Sequence, residues 1–336
     1  MRVTIKDVAR EANVATSTVS RVLSNSNKIS DETKERVNNA IKKLNYTPNV
    51  VARGLANKKT RILAVILPKE AEDIFSNPFF IQAMKGISIC AQEEDYYIMY
   101  GFNQDNDNEK EWLKKFINSN LIDGLCLLKV KENDEIIDYL KKIDFPFVVI
   151  GRPDNIENML WVDNDNVKAM YDLVNKLISY GHKKIGFIGA KPKLNVSRDR
   201  LKGYKKALEY NNIPINEDLI YEGNDFNKEN GEIGTDNILK KLKPTAIVTT
   251  DDLLAFGTIE VLNNRELKDI SIVGFNNIQI SEYQKPALAS VDINAEKLGY
   301  YATRLIINKL EEKESNINSH IIETKLIERE SLKSID

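Results

Sequence analysis

Residues 3–60 read VTIKDVAREANVATSTVSRVLSNSNKISDETKERVNNAIKKLNYTPNVVARGLANKKT, and the spacing of the apolar side chains outlines three short helices. Thr4 followed by Asp7 is a variant of the capping box. Ile5, Val8, Ala9 and Ala12 then recur at helical intervals, so residues 5 to 12 are expected to form an amphipathic helix that Asn13 and Val14 break. A second helix from Thr16 to Leu23 turns Val19, Val22 and Leu23 inward and leaves Thr16, Ser17, Ser20 and Arg21 on the opposite face. The third begins at Ser30, whose hydroxyl can cap it, and buries Val37, Ala40, Ile41 and Leu44. Two helices of about eight residues joined by a short turn make a helix-turn-helix unit.

The charge of this stretch differs from that of the rest of the chain. Residues 1 to 60 carry twelve Lys or Arg against five Asp or Glu, a net of +7, which leaves −9 for the remainder of a chain whose total is −2. A basic module joined to an acidic body suits a polyanionic partner, because neutralising phosphates releases counterions. A helix-turn-helix lays its second helix in the major groove with the N-terminal residues at the base edges. Thr16, Ser17 and Arg21 are therefore candidates to read bases, and Thr18 and Ser20 to anchor phosphates. After Pro48 the segment NVVARGLA is too short to be a stable helix alone, so it is expected to order only when something binds it.

The 336 residues and 38.3 kDa suit two or three compact units, and 42% hydrophobic with 29% charged residues is ordinary for a soluble globular chain. No apolar run approaches the roughly 18 residues of a membrane span. The start is charged within a few residues and is not a secretory signal, so a cytoplasmic address is expected. Cys90 and Cys126 lie in apolar stretches without ligand spacing and read as buried reduced thiols; His182 and His320 have no motif partner. No metal or cofactor is expected. Phosphate-binding, nucleophile-elbow, zincin and dinucleotide signatures are all missing, which argues against an enzyme. Asp251 and Asp252 would diverge at a helix start, where they suit capping or ligand binding better than acid/base work.

Beyond residue 60, apolar strands alternate with amphipathic helices. Strands are expected at 62–67, 97–102, 124–128, 147–150, 184–188, 246–250 and 270–275. Helices are expected near 78–94, 108–119, 133–142, 165–180, 198–211, 228–242 and 252–265. The rhythm predicts an α/β body of two lobes, each a doubly wound parallel sheet, with ligand at the carboxyl ends of the strands in the cleft between them.

The combination of TVSRVL, LNYTPN and ARGLA at these distances resembles the N-terminal domain of the lac-repressor-type (LacI/GalR) bacterial transcriptional regulators across residues 3 to 60, with Ala15 where that family usually has Ser. The resemblance implies a helix-turn-helix domain at 1–47, a hinge helix and linker at 48–60, and an effector-binding and dimerisation domain at 61–336. It adds Thr4, Asn27 and Tyr46 to the DNA contacts. In the hinge it implies that Leu55 enters the minor groove as a wedge, with Asn49, Ala52 and Arg53 beside it. Gly54 weakens intrinsic helicity there. The body resembles the periplasmic sugar-binding fold. Its N-lobe is expected at 62–161 with 292–320 and its C-lobe at 162–291 with 321–336, the chain crossing near 162, 291 and 320.

The resemblance further implies effector contacts from Phe80, Asp163, Arg200, Phe226, Asp251 and Asn276, of which about half are expected to touch ligand. Family members usually have Asp where Asn276 stands. NPFF at 77–80, SRDRLKGY at 197–204, GFNN at 274–277 and DINAEKLG at 292–299 look most like repressors of maltose and maltodextrin operons. The expected function is thus a dimeric repressor on palindromic operator DNA, controlled by a small sugar. Two alternatives stay open. One is a catabolite-control regulator that takes a phosphorylated carrier protein as corepressor, with Arg304 at a position such a partner could use; Arg198 and Arg200 favour a small ligand instead. The other is a sugar-binding receptor without DNA function, which would need export.

Overall fold

The structure, a computed structural model, describes residues 3–23, 26–47, 59–67, 77–102, 109–314 and 317–335. The chain divides into two compact units, Met1–Thr60 and Arg61–Asp336.

The first unit holds α1 (Ile5–Glu11), α2 (Thr16–Leu23) and α3 (Asp31–Lys43). Thr4 precedes α1, and its amide donates to Asp7 Oδ2 at 2.9 Å. Ser30 caps α3 by accepting from the Thr33 amide at 3.4 Å. Asn13 and Asn45 take left-handed backbone just past α1 and α3, a conformation that ends helices and that Asn tolerates. Val8, Ala9, Ala12, Val19, Val22, Val37 and Ala40 form a small closed core. Ile41 and Leu44, expected inside, pack on its edge and stay partly exposed.

The second unit runs β1 (Ile62–Leu67), α4 (Pro78–Glu93), β2 (Tyr97–Phe102), α5 (Glu109–Ile117), β3 (Gly124–Leu127), α6 (Glu135–Lys142), β4 (Phe147–Ile150) and β5 (Leu160–Asn164). There follow α7 (Asn166–Ser179), β6 (Ile185–Ala190), α8 (Asn195–Tyr210), β7 (Ile220–Gly223), α9 (Lys228–Lys241), β8 (Ala246–Thr249), α10 (Asp252–Asn264), β9 (Ser271–Phe275) and β10 (Ala289–Asp292). The described chain closes with α11 (Ala295–Leu310), β11 (Ser319–Ile322) and β12 (Lys325–Ile327).

These strands form two six-stranded sheets, ordered β11-β5-β4-β3-β1-β2 and β12-β10-β9-β8-β6-β7. Every pairing is parallel except β10 with β12. Helices cover both faces, so β3, β4, β8 and β9 are buried at every residue, as continuous apolar runs require. The chain passes from the first sheet to the second after β5, back after β10, and across again after β11. Each passage comes a few residues beyond positions 162, 291 and 320.

β5, β7, β10, β11, β12 and α11 are absent from the sequence-based element assignment. β5 ends in the polar pair Asp163 and Asn164, which interrupts an apolar reading, yet both are buried. α8 starts at Asn195, three residues before its expected start at 198.

Candidate functional site

α2 presents a polar face. Thr16, Ser17, Ser20 and Arg21 are exposed, while Val19 and Val22 on the opposite side are buried. Thr18 is half-buried. Ala15, just before α2, accepts from the Thr18 amide at 2.9 Å through its carbonyl but has no side-chain oxygen to cap the helix. Asn27 is exposed and Tyr46 half-buried. The Thr4 hydroxyl is already engaged, donating to Asp7 Oδ2 at 2.7 Å. Asn49, Ala52, Arg53 and Leu55 lie outside the described residues.

In the second unit a cavity of about 620 Å³ opens between the two sheets, at the carboxyl ends of β3 to β10. Open α/β sheets bind ligands at such strand ends, where loops and helix N-termini offer unpaired polar groups. Phe80, Asp163, Arg200, Phe226, Asp251 and Asn276 all line it. Arg198 does not; it pairs with Asp154 at 2.6 Å on the exposed surface, so only one arginine of SRDRLKGY faces the cavity.

Arg200 is the fixed point of the site. It is 5% exposed, its Nε donates to Asn166 Oδ1 at 2.9 Å, and its Nη1 donates to the Thr250 carbonyl at 2.6 Å. The guanidinium carbon lies 4.2 Å from the centroid of the Phe275 ring. Burial lowers its pKa to about 10, with Asp251, Asp163 and Asp252 acting in the other direction, so it stays charged near neutrality. Burial also pushes Asp163 up to about 7 and Asp251 up to about 6. Asp251 caps α10 by accepting from the Leu253 amide at 2.8 Å, and its Oδ2 accepts from Asn276 Nδ2 at 2.8 Å. Asn276 adopts φ 103°, a backbone that few side chains other than Asn tolerate.

Sequence reasoning missed part of the lining. Asn77, Asn166, Asn195, Asn224 and Asn227 add a set of side-chain amides, and Lys129, Lys191, Asp225 and Phe79 complete its polar and aromatic character. Several of these Asn residues sit at helix N-caps or first turns following strands, a placement that predicted strand ends could have flagged. Asn195 Oδ1 and Thr250 Oγ1 are buried without a hydrogen-bond partner among the described residues. Such atoms are expensive to bury unless a ligand or water satisfies them.

A helix-turn-helix head and a two-lobed body with a polar inter-sheet cavity define a class: DNA-binding transcription regulators built on a periplasmic-binding-protein-like receptor. The sequence profile of bacterial regulatory proteins of the lacI family matches residues 4–49, and that of the periplasmic binding protein-like domain matches residues 174–332. The HTH-type transcriptional regulator MalR of Streptococcus pneumoniae (strain ATCC BAA-334 / TIGR4) is 36% identical over 318 residues, 94% of this chain and 95% of that protein. Catabolite control protein A of Priestia megaterium is 34% identical over 311 residues, 91% of this chain and 92% of its own. A solved complex of the transcriptional regulator CelR with cellobiose superposes with a TM-score of 0.77 at 26% identity, covering 98% of this chain and 100% of that one. The chain belongs to the lacI family of bacterial regulatory proteins. Among the described residues no helix is long and apolar enough to cross a membrane.

Proposed function

We propose that this protein is a repressor that grips a palindromic operator as a homodimer and is controlled by a neutral oligosaccharide of the maltose and maltodextrin class. The observation that carries the effector reading is the lining of the cavity. Lys129, Lys191 and Arg200 are matched in number by Asp163, Asp225 and Asp251, which balance them in full once Asp163 ionises above its raised pKa of about 7, and the remaining polar groups are mostly uncharged amides. A charge-balanced, amide-rich wall with Phe79, Phe80 and Phe226 suits hydroxyls and sugar faces, whereas a sugar phosphate needs a surplus of cations. The volume is in the range of small-ligand sites and leaves room for more than one sugar ring. The MalR relatives and the cellobiose-bound CelR structure support a disaccharide or longer glycan.

Support for the dimer comes from apolar side chains left exposed on the second unit. Ile81, Ile89, Tyr97 and Tyr100 stand on α4 and on β2, the edge strand of the first sheet, with Tyr97 57% exposed. Ile280 and Tyr283, the latter 71% exposed, lie beyond β9 of the second sheet. A second copy is the proposed occupant of these patches.

The catabolite-control reading rests on Arg304, the residue proposed to meet a phosphorylated carrier. Its guanidinium already pairs with Glu93 at 2.8 Å and with Glu94, and donates to the Tyr300 hydroxyl oxygen at 2.6 Å. Glu94 also takes Lys313 at 2.7 Å. Two carboxylates beside the arginine repel a phosphate, which puts this reading second. The test is a calorimetric and thermal-shift screen of maltose, maltotriose, cellobiose and glucose 6-phosphate, run with and without an inverted-repeat duplex selected on the full chain. A neutral glycan should raise the melting temperature and change duplex affinity, and the duplex should change glycan affinity by the same factor. A response to glucose 6-phosphate alone would overturn the neutral-glycan reading.

A further inference from the structure

Two helices of the first lobe, α4 and α11, reach the cavity at one end and meet at a single residue at the other. Asn77, Phe79 and Phe80 at the start of α4 line the cavity, as do Ile293 and Leu298 around the start of α11. Each helix has sixteen residues, a rod of about 24 Å. They are packed backbone to backbone. A Cβ on Gly86 would fall 1.9 Å from the Glu296 carbonyl oxygen, and one on Gly299 would fall 2.0 Å from that of Ala83. Two helices in such close contact move together, because close-packed interiors pass displacement on instead of absorbing it.

At the end of the rods away from the cavity stands Arg61, the first residue of the second unit and the one joined by the chain to the linker. Its Nη1 donates to the carbonyl of Glu94, the C-cap of α4, at 3.1 Å. Its Nη2 pairs with Oε1 of Glu311, the C-cap of α11, at 3.4 Å. The same Oε1 accepts from the Tyr96 hydroxyl at 2.7 Å, and the guanidinium lies 5.2 Å from the centre of the Tyr96 ring. The Arg61 amide donates to Asp123 Oδ2 at 2.7 Å, and its carbonyl accepts from the Tyr97 amide at 2.8 Å. Arg61 holds φ 56°, a left-handed backbone that an arginine adopts only when its surroundings impose it.

We infer that Arg61 is a positioning residue that gathers the cavity-remote ends of α4 and α11 and transmits their displacement, set by the ligand, into the linker toward the DNA-reading unit. The inference rests on the effector reading above. Arg61 does not line the cavity and is not among the residues assigned to read DNA, so its role is confined to the coupling between two binding events and adds nothing to either one alone.

The experiment measures three quantities on the full chain for wild type, Arg61→Ala, Arg61→Lys and Glu311→Ala. They are glycan affinity, affinity for the selected inverted-repeat duplex, and the factor by which the glycan changes duplex affinity. The probe is whichever of maltose, maltotriose and cellobiose gives the largest melting shift in wild type. Arg265→Ala, which breaks an exposed 2.6 Å pair with Asp236 on the second lobe, controls for loss of a surface arginine.

Arg61→Ala should bind glycan and duplex separately as wild type does, while its coupling factor falls from the regulatory range of about 5- to 150-fold to within about twofold of unity. Arg61→Lys should restore a large part of the coupling, Glu311→Ala should weaken it, and Arg265→Ala should leave it intact. Full coupling in Arg61→Ala overturns the inference. So does a parallel loss of both affinities with the melting temperature in Arg61→Ala, unless Glu311→Ala, still folded, loses coupling alone. A wild-type chain that responds to none of the three glycans overturns the effector reading itself, and this inference with it.

Discussion

At the scale of single residues, the cavity holds two carboxyls whose ordinary pKa burial has raised, Asp251 to about 6 and Asp163 to about 7. Both lie above the usual 3.8, so the folded protein binds more protons than the unfolded chain in that interval. The free protein therefore loses stability as pH rises through it. Glycan hydroxyls donate to the ionised carboxylates and compete with those protons. Glycan affinity should accordingly rise between about pH 5.5 and pH 7.5, as isothermal titration at three pH values would show; a flat profile would exclude both carboxyls from ligand contact. Asn276 holds down the Asp251 part of this window, because it offers Asp251 an N–H donor at 2.8 Å where a second carboxylate would repel. Asn276→Asp should weaken binding at pH 7 and move the rise to higher pH. On α2, Arg21→Ala should cost about 1 to 3 kcal/mol against the selected duplex and relax base choice at one position per half-site. An equal loss on all sequences, measured by binding to a randomised duplex pool, would reassign Arg21 to phosphate.

At the scale of elements, α4 and α11 depend on two glycines. Gly86→Val puts a branched side chain where the Glu296 carbonyl already sits 1.9 Å from the Cβ position, and the backbone of α11 cannot yield as a flexible side chain would. The variant should lose about 1 to 3 kcal/mol or more in urea unfolding, and an unchanged midpoint would mean that the helices separate freely. Which elements the sequence reveals follows from the same packing. β1, β3, β4 and β8 are buried between helix layers and read as uninterrupted apolar runs, so their positions could be found within a residue or so. β7 (IYEG) and β10 (ASVD) are short and carry polar residues, because β7 is a sheet edge and β10 leads into a crossing, and no apolar run marks them. The site divides in the same way. Arg200, Asp251 and Asn276 stand directly after recognisable strands or in a recognisable motif. Asn224 and Asn227 follow the unmarked β7 and could be found only once the chain was folded. Arg61 was invisible for a different reason, since its partners Glu94, Tyr96, Asp123 and Glu311 are scattered across 250 residues of sequence.

At the scale of the whole molecule, the charge is separated by task. Residues 1 to 60 carry +7 and the rest −9, so phosphate attraction resides in the head, while the body's own field opposes non-specific contact with DNA. The cavity, by contrast, is lined by equal numbers of cations and carboxylates. The two binding events should therefore respond to salt in opposite styles. Duplex affinity falls as a power of the salt concentration set by the phosphates neutralised, a loss of about 10³ to 10⁵ between 50 and 200 mM for six to ten contacts. Glycan affinity should not move over that range, because an uncharged ligand releases no counterions and the charges of Arg200, Asp163 and Asp251 are buried, where screening is weak. Titrating glycan and duplex separately across one salt series distinguishes the two. If the ligand of the cavity were a phosphorylated sugar, its affinity would decline with salt as well, and the neutral lining would have been misread as the determinant of specificity.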